Sequence, residues 1–405
     1  MVSRRSLLLA GAALGLAHGT TDAASPKSSH AAPHAAPAAP AAPPSAPATT
    51  PLGPVDTAAR FAFATDFSTG ADLLDKDADV AMVPSSMTKL MTIYIVYGML
   101  KAGRLQLDQM LPVSERAWRT GGSKMFVPYP GSVRVEDLIR GVVVDSGNDA
   151  CIVFAEAIAG SEEQFIDLMN QRAKELGLTR SVFKNCTGLP DPGHVMSCRD
   201  IATLATALIR NFPEYYHYDS EKTFKYNNIE QYNRNPLVQK GVADGLKTGH
   251  TDAGGYGVVA STERAGRRVI LVLNGMESSR QRGEEAERLM EWAFREFENV
   301  TLVAANQPVD RAPVWLGAAP SVALVTGRDL VVTMPRQWQN RAKLTAQYTA
   351  PLAAPVAKGA VVGKLTLSGE GVPAMEVALH AADDVPRLPL PGRALAVLTH
   401  YLTGG

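Results

Sequence analysis

The pattern of apolar residues changes near residue 299, and this change constrains the fold more than any other feature. Before this point, segments with helical spacing accompany strand-like runs, whereas short β-rich runs between glycine and proline clusters follow it. Helices packed on consecutive antiparallel strands indicate an α+β architecture, and evenly spaced short strands indicate an all-β domain. The sequence therefore predicts an α+β domain over residues 55–298 and a small β-rich domain over residues 299–388.

The elements of both domains follow from periodicity and turn residues. In the first domain we expect an antiparallel sheet flanked by helices, with a hairpin at 60–74, helices at 86–100, 135–143, 148–159, 162–176, 198–210 and 284–297, and strands at 246–249, 255–263 and 267–274. In the second domain we expect strands at 314–316, 322–325, 330–334, 344–348, 361–367 and 374–379.

The N-terminus has the pattern of an export signal. Arg4 and Arg5 precede an apolar run that is too short to span a bilayer. Residues 1–24 are therefore predicted to be a signal peptide that directs the chain to the periplasm, with cleavage after Gly19 or Ala24. The paired arginines leave the export route open, and an uncleaved N-terminal anchor is the alternative.

Two segments are predicted to lie outside the folded domains. Residues 25–54 are rich in alanine, proline and serine and lack large apolar side chains, so we expect a disordered or polyproline-like linker. Residues 389–405 fit one short helix whose only positive side chains are Arg393 and His400. A membrane-surface helix usually carries more basic residues, so peripheral inner-membrane association and a packed or frayed terminus both stay open.

Charge and cysteine usage exclude several classes of function. The formal net charge is zero, which argues against nucleic-acid binding. Cys151, Cys186 and Cys198 form no C-x-x-C pair and no H-E-x-x-H motif occurs, so neither a metal site nor a cofactor is expected. A Cys186–Cys198 disulfide is compatible with an exported protein, but the spacing does not decide it.

The segment Ser86-Met87-Thr88-Lys89 places a hydroxyl and an amine three residues apart. At the start of a helix these positions share one face, and a desolvated lysine can lose its proton and activate the serine. Ser181 and Lys184 repeat the same S-x-x-K spacing. The motif alone is therefore weak evidence for catalysis.

Two further motifs make the S-x-x-K match at Ser86 specific. Ser146-Gly147-Asn148 is the only S-x-N in the chain and precedes a predicted helix, while Lys247-Thr248-Gly249 is the only K-T-G and lies on a predicted edge strand. S-x-x-K, S-x-N and K-T-G in this order are the signature of class A β-lactamases and penicillin-binding proteins. The three segments are therefore expected to meet in one cleft.

From residue 58 to residue 385 the chain resembles the D-alanyl-D-alanine carboxypeptidases, which are low-molecular-mass penicillin-binding proteins. The resemblance extends beyond the motifs to GGSKMFV at 121–127, VEDLIRGVVVDSGNDA at 135–150, NCTGLPDPGH at 185–194, LKTGHTDAGGYG at 246–257 and APVAKGAVVGKL at 354–365. It implies a serine β-lactamase/transpeptidase-like domain followed by a small all-β domain. Asp145 departs from it, because a glutamine is expected there, as does the weakly basic C-terminal tail.

The resemblance also implies a reaction and its catalytic residues. The substrates are peptidoglycan stem peptides ending in D-Ala-D-Ala, and β-lactam antibiotics act as covalent inhibitors. Ser86 is the nucleophile and Lys89 the base. Ser146 relays a proton to the leaving amine, Asn148 orients Lys89 and binds the substrate amide, and Lys247 supplies positive charge.

Four further residues are assigned to substrate binding by the same resemblance. Thr248 and Arg282 are expected to bind the terminal carboxylate, for which arginine is well suited. Gly249 and His250 complete the set, with the backbone N–H groups of Ser86 and His250 as the oxyanion hole. The side chain of Arg280 is the alternative carboxylate ligand.

Three competing functions remain to be weighed. A class A β-lactamase needs a glutamate-bound water for deacylation, and residues 185–200 contain no glutamate. A D,D-endopeptidase shares the motifs but typically lacks the second β domain. A non-catalytic penicillin-binding scaffold protein would show a degraded motif, whereas all three motifs are intact.

Overall fold

The computed structural model describes residues 46–369 and 374–403. The predicted signal peptide and most of the predicted linker lie outside the described residues. Within them, a central antiparallel sheet has the strand order β2-β1-β9-β8-β7. Its strands are β1 Phe61–Asp66, β2 Asp72–Lys76, β7 Gly245–Thr251, β8 Gly255–Arg264 and β9 Arg267–Met276, and two peripheral hairpins consist of β3 Met110–Val113 with β4 Gly131–Arg134 and β5 Thr223–Tyr226 with β6 Ile229–Tyr232.

Helices cover both faces of this sheet. They are α1 Lys89–Lys101, α2 Glu115–Arg119, α3 Val135–Val143, α4 Asn148–Ala159, α5 Glu162–Glu175, α6 Cys198–Asn211, α7 Pro236–Gln239 and α8 Ser279–Glu296. Alternate residues of β8 and β9 enter two separate cores: Val259 and Ile270 pack with α1 and α6, while Val258 and Leu271 pack with α8. Because strand side chains alternate between faces, burial on both sides explains the almost continuous apolar runs of these strands.

Two helices begin at residues other than those predicted. Residues Ser85–Thr88 form a 3₁₀ turn, and the α-helix starts only at Lys89. Helix α8 begins at Ser279, five residues before the prediction, because the Ser278 side chain accepts a hydrogen bond from the Gln281 N–H and caps the helix. The sequence did not reveal this first turn because it is polar and has no apolar periodicity.

The β-rich region has a core of its own. Its strands are β10 Phe297–Val303, β11 Pro308–Trp315, β12 Ser321–Val325, β13 Leu330–Pro335, β14 Lys343–Tyr348, β15 Leu352–Ala353, β16 Val361–Ser368 and β17 Met375–Ala381. Six of them form a sheet in the order β14-β16-β17-β12-β11-β15, and β10 pairs with β13. The expected architecture, an α+β unit followed by an all-β unit, is confirmed.

Helix α9, Leu390–Thr403, follows the last strand. Several of its large apolar side chains are exposed, namely Leu390, Leu395, Leu398, Tyr401 and Leu402. Among the described residues, no helix combines the length and apolar character that crossing a membrane requires.

Candidate active site

Ser86 and Lys89 are in direct contact at the start of α1. The Lys89 Nζ donates a hydrogen bond to Ser86 Oγ over 2.9 Å and a second one to the Thr187 carbonyl oxygen over 2.6 Å. The lysine side chain is completely buried, whereas Ser86 keeps part of its surface. The 3₁₀ turn therefore points an accessible hydroxyl outward and holds a buried amine against it.

Burial changes the proton affinity of this amine. The pKa of Lys89 is lowered to about 8, mainly by desolvation and also by the Arg234 cation, while Cys151, Cys186 and Asp149 oppose the shift. Burial, followed by the charges of Lys89, Arg234 and Arg282, also holds the pKa of Lys247 well below its usual range. A substantial fraction of Lys89 is then neutral near pH 8 and able to accept a proton.

A histidine supports the nucleophile turn from behind. His194 Nδ1 accepts a hydrogen bond from the Lys184 backbone N–H, which leaves the proton on Nε2 to be donated to Thr88 Oγ1 over 2.8 Å. Burial lowers the pKa of His194 to about 4. The ring is therefore neutral at physiological pH and fixes the turn through Thr88.

The S-x-N segment lies between α3 and α4. Ser146 has a left-handed backbone conformation, with φ of 60°, and its buried hydroxyl has no hydrogen-bond partner among the described residues. The Asn148 side-chain nitrogen donates to the Gly121 carbonyl oxygen over 2.7 Å. The hydroxyl of Ser146 is thus left free for a substrate group.

The expected hydrogen bond between Asn148 and Lys89 is not among those that the described residues form. Lys89 is held by the Thr187 carbonyl instead. The Asn185 side chain accepts hydrogen bonds from the backbone N–H groups of Thr187 and Gly188, which turns the chain and presents this carbonyl. The orienting acceptor is a backbone group, which no side-chain motif could identify.

The K-T-G segment lies on β7, at the edge of the sheet, and directly contacts the Ser86 turn. A Cβ atom at Gly249 would lie 2.9 Å from the Pro84 carbonyl oxygen, so only glycine permits this approach. Ser85 Oγ and Thr251 Oγ1 are hydrogen-bonded at 2.9 Å and fix the same contact. Lys247 and Thr248 are buried just before it.

Arg282 lies in the first turn of α8 and is 6% exposed. Its Nη2 donates to the Arg234 carbonyl and to Ser279 Oγ, both at 3.1 Å, while its buried Nε has no partner among the described residues. Burial lowers the pKa of Arg282 to about 10, with Arg234 acting in the same direction and Tyr256 against it. No carboxylate in the described part of the chain acts on the pKa of this guanidinium, so an anionic ligand could supply its counter-ion.

One tyrosine connects Arg282 to the end of β7. The Arg282 guanidinium lies 5.7 Å from the Tyr256 ring centroid, and the His250 ring stacks on Tyr256 at 3.9 Å. By contrast, Arg280 is exposed and pairs with Glu284. The structure thus places Arg282 beside the K-T-G strand and directs Arg280 to solvent.

Two further charged groups belong to this site: Arg234, which sequence reasoning missed because it belongs to no motif, and Asp145, which it noted only as a departure flanking the S-x-N motif. Arg234 acts electrostatically on Lys89, Lys247 and Arg282, and its Nη1 donates to Ser123 Oγ over 2.5 Å. Asp145 is 1% exposed, and neither carboxylate oxygen has a partner among the described residues. Burial raises the pKa of Asp145 to about 7, although Arg234 and Lys247 oppose the shift.

The second S-x-x-K match has a structural role. Ser181 Oγ donates to Asp200 Oδ2 over 2.8 Å, and Lys184 is exposed. The cysteines are equally structural: all three are free and buried. The Cys186–Cys198 disulfide that the sequence allowed therefore does not form, and Cys186 Sγ instead donates to Glu162 Oε1 over 3.3 Å.

Comparison with known proteins assigns both parts of the chain. Residues 46–278 match the family described as D-alanyl-D-alanine carboxypeptidase, and residues 297–387 match the C-terminal domain of penicillin-binding protein 5. The chain belongs to the D-alanyl-D-alanine carboxypeptidase family and is a serine peptidase of the low-molecular-mass penicillin-binding class. This confirms the family, the enzyme class and the main activity expected from the sequence.

Particular relatives agree along most of their length. The chain is 41% identical over 322 residues to D-alanyl-D-alanine carboxypeptidase DacC of Escherichia coli K12, covering 77% of this chain and 80% of DacC. It is 36% identical over 333 residues to DacA of the same organism, with 79% and 82% covered. The crystal structure of penicillin-binding protein 5 from Haemophilus influenzae superposes with a TM-score of 0.75 at 35% identity, covering 82% of this chain and 99% of that one.

Proposed function

We propose that the chain removes the terminal D-alanine from peptidoglycan stem peptides through an acyl-enzyme on Ser86. The observation that carries this proposal is the buried Lys89 amine, 2.9 Å from Ser86 Oγ and with a lowered pKa. A neutral amine at this distance can take the serine proton as the oxygen attacks a carbonyl. The two N–H groups of Ser86 and His250 then stabilise the oxyanion, each contributing on the order of 3 kcal/mol.

The remaining steps use Lys89 and the S-x-N residues. As the peptide C–N bond breaks, the proton held by Lys89 passes through Ser146 to the leaving D-alanine amine. Water then attacks the ester carbonyl and Lys89 takes its proton; as the ester C–O bond breaks, Lys89 returns this proton to Ser86 Oγ, which leaves as the alcohol. The free hydroxyl of Ser146 supports this role, and Asn148 binds the substrate amide.

Substrate specificity would come from the positive groups that surround the cleft. Arg282 and Thr248 bind the terminal carboxylate, Lys247 supplies the field that favours an anion, and Gly249 and His250 line the edge of β7. The unpartnered Nε of the buried Arg282 supports this assignment. A requirement for a free carboxylate at the substrate end would then distinguish a carboxypeptidase from a peptidase that cleaves internal bonds.

β-Lactams would acylate Ser86 by the same route, since their ring carbonyl takes the place of the scissile peptide. Penicillin-binding protein D2 of Listeria monocytogenes, solved in ampicillin-bound and cefotaxime-bound forms, superposes with a TM-score of 0.55 at 28% identity over 59% of this chain. We extend penicillin binding to this chain on that likeness.

The activity is tested by incubating the purified protein with a stem pentapeptide and with a crosslinked peptide dimer. Release of D-alanine from the pentapeptide, absent in the Ser86→Ala variant, is the expected result. Cleavage of the dimer without D-alanine release from the pentapeptide would contradict the proposal and favour a D,D-endopeptidase.

Substitution Arg282→Ala tests carboxylate recognition. Removing a buried charged partner of the substrate should lower kcat/KM for a pentapeptide with a free C-terminus by on the order of 100-fold. Hydrolysis of a substrate with a blocked C-terminus should change much less. Arg280→Ala, which removes an exposed arginine two residues away on the same helix, is the matched control and should retain both activities. Equal losses of kcat/KM on both substrates in Arg282→Ala would contradict carboxylate recognition and indicate general damage to the site.

We also propose the domain boundaries and the cellular location of the enzyme. We assign residues 1–24 to a signal peptide, 25–54 to a linker, 55–298 to the catalytic domain, 299–388 to the β-rich domain and 389–405 to the tail. The protein would act in the periplasm without nucleic-acid partners.

Exposed apolar side chains on α9 support a peripheral contact with the inner membrane. Co-sedimentation with anionic phospholipid vesicles tests this contact. If the binding survives deletion of residues 389–405, helix α9 is excluded as the contact.

A further inference from the structure

An exposed group of aromatic side chains lies beside Asp149, the residue that follows the S-x-N motif. Trp118, Phe126 and Tyr129, here named the aromatic shelf, are each about 45% exposed. The rings of Trp118 and Tyr129 are 6.0 Å apart and tilted by 30°. Large apolar side chains that remain together at a surface usually mark a binding site.

The aromatic shelf lines a groove of about 360 Å³ that also has polar groups at its rim. Lys124 and Asn227 line the same groove; Lys124 Nζ donates to the Trp118 carbonyl over 2.5 Å, and Asn227 Nδ2 donates to the Phe126 carbonyl over 2.8 Å. Flat apolar faces combined with a few fixed polar groups are typical of small-ligand sites. They suit a pyranose ring, which offers C–H groups on its faces and hydroxyl or amide groups at its edge.

Trp118 lies on α2, and the loop that carries the other two shelf residues, Phe126 and Tyr129, is held by the S-x-N helix. The buried Asp149 carboxylate accepts hydrogen bonds of 2.9–3.2 Å from the backbone N–H groups of Met125, Phe126 and Val127. These bonds hold Phe126 in a left-handed conformation with φ of 67°, which keeps its ring at the surface. The shelf is thus preorganised by the residue that follows Asn148.

The chain segment between the shelf and Asn148 is short compared with the substrate. The Gly121 carbonyl contacts Asn148 at 2.7 Å, and the Cα atom of Trp118 lies within about 11 Å of that of Gly121 along the chain. A fully extended pentapeptide spans about 17 Å. A stem peptide that passes Asn148 on its way to Ser86 is therefore long enough to bring the sugar at its other end to the shelf.

We propose that the aromatic shelf is a carbohydrate subsite that binds the glycan to which the stem peptide is attached. This inference rests on the proposed function, because it assumes that the stem peptide occupies the cleft between Ser86, Asn148 and β7. The enzyme then recognises its substrate at both ends: the carboxylate at Arg282 and the sugar at Trp118 and Tyr129.

The test compares D-alanine release from a free pentapeptide with release from the same peptide linked to an N-acetylglucosamine–N-acetylmuramic acid disaccharide. The wild type should show a higher kcat/KM for the glycan-linked substrate. Trp118→Ala and Tyr129→Ala should each lower that value about fivefold to tenfold, as the loss of one aromatic contact implies, with the free pentapeptide unaffected. Tyr401→Ala, which removes an exposed tyrosine from α9, is the matched control and should change neither.

Each alternative outcome has a distinct meaning. Equal losses of kcat/KM on both substrates in Trp118→Ala and Tyr129→Ala would overturn the carbohydrate subsite. An unchanged kcat/KM for the glycan-linked substrate would also overturn it, and would leave the shelf as a surface for a protein partner. Absence of D-alanine release from the free pentapeptide in the wild type would instead refute the proposed function. Calorimetric binding of both substrates to the Ser86→Ala protein, with and without Trp118→Ala, decides the subsite without relying on turnover.

Discussion

Replacing Ser86 with alanine is expected to abolish covalent labelling by penicillin and to leave the fold intact. The hydroxyl is the atom that would form the acyl bond, and loss of a catalytic serine in other hydrolases lowers turnover by about 10⁶-fold. Among the described residues, the only side-chain hydrogen bond of this hydroxyl is the one it accepts from Lys89. Because Lys89 keeps its bond to the Thr187 carbonyl, the free energy of unfolding should change by less than about 1 kcal/mol.

Ser181 provides a control with the same motif spacing. The Ser181→Ala variant should be labelled as fully as the wild type, but it should be less stable by about 1–2 kcal/mol because Asp200 loses a hydrogen-bond donor. Labelling is measured by gel fluorescence with a fluorescent penicillin, and stability by denaturant unfolding. Stoichiometric labelling of Ser86→Ala at another serine would contradict the assignment of the nucleophile.

The sequence revealed those parts of the site that depend on local structure. Helix α4 starts at Asn148 and β7 contains Lys247-Thr248-Gly249, as expected, because helix starts and strand alternation leave periodic patterns. The edge position of β7 also agrees with expectation. These local signals place three motifs on three elements, and only the resemblance indicated that they meet.

Features that depend on tertiary packing left no such pattern. The Thr187 carbonyl reaches Lys89 through an asparagine-stabilised turn nearly 100 residues further along the chain. The 3₁₀ turn at Ser86 depends on Ser85 adopting a positive φ of 50°. The neighbouring backbone accepts this turn because Gly188 and Gly249 have no side chains to collide with it. Gly249 belongs to the K-T-G motif, but its contact with the Ser86 turn, like the bond between Thr187 and Lys89, cannot be read from the local sequence.

Asp145 is one of the two departures from the resemblance, since a neutral glutamine is expected there and the chain has an acid. The carboxylate is buried beside Ser146 without a hydrogen-bond partner among the described residues. Charged groups near it come from three elements: Arg234 before α7, Asp149 on α4 and Lys247 on β7. A buried carboxylate without hydrogen bonds is costly when ionised, which agrees with the rise of its pKa from 3.8 to about 7.

This shift predicts how stability depends on pH. The folded state binds the Asp145 proton more tightly than the unfolded chain does, so the free energy of unfolding falls as the pH rises from about 4 to about 7 and stays lower above that range. Asp145→Asn keeps the shape but cannot ionise. The variant should therefore be more stable than the wild type at pH 8, by at most about 4 kcal/mol, and nearly equal to it near pH 4.

Denaturant unfolding at pH 4.5 and pH 8 measures this difference directly. Asp149→Asn is the matched control, because that carboxylate is equally buried but accepts backbone hydrogen bonds from Met125, Phe126 and Val127. Losing its charge should destabilise the protein at pH 8 by about 2 kcal/mol, the opposite sign to Asp145→Asn. If Asp145→Asn also destabilises the protein at pH 8, the prediction is wrong. The surrounding cations would then stabilise the ionised carboxylate by more than its burial costs. The positive charges of Arg234 and Lys247 would in that case dominate this part of the site.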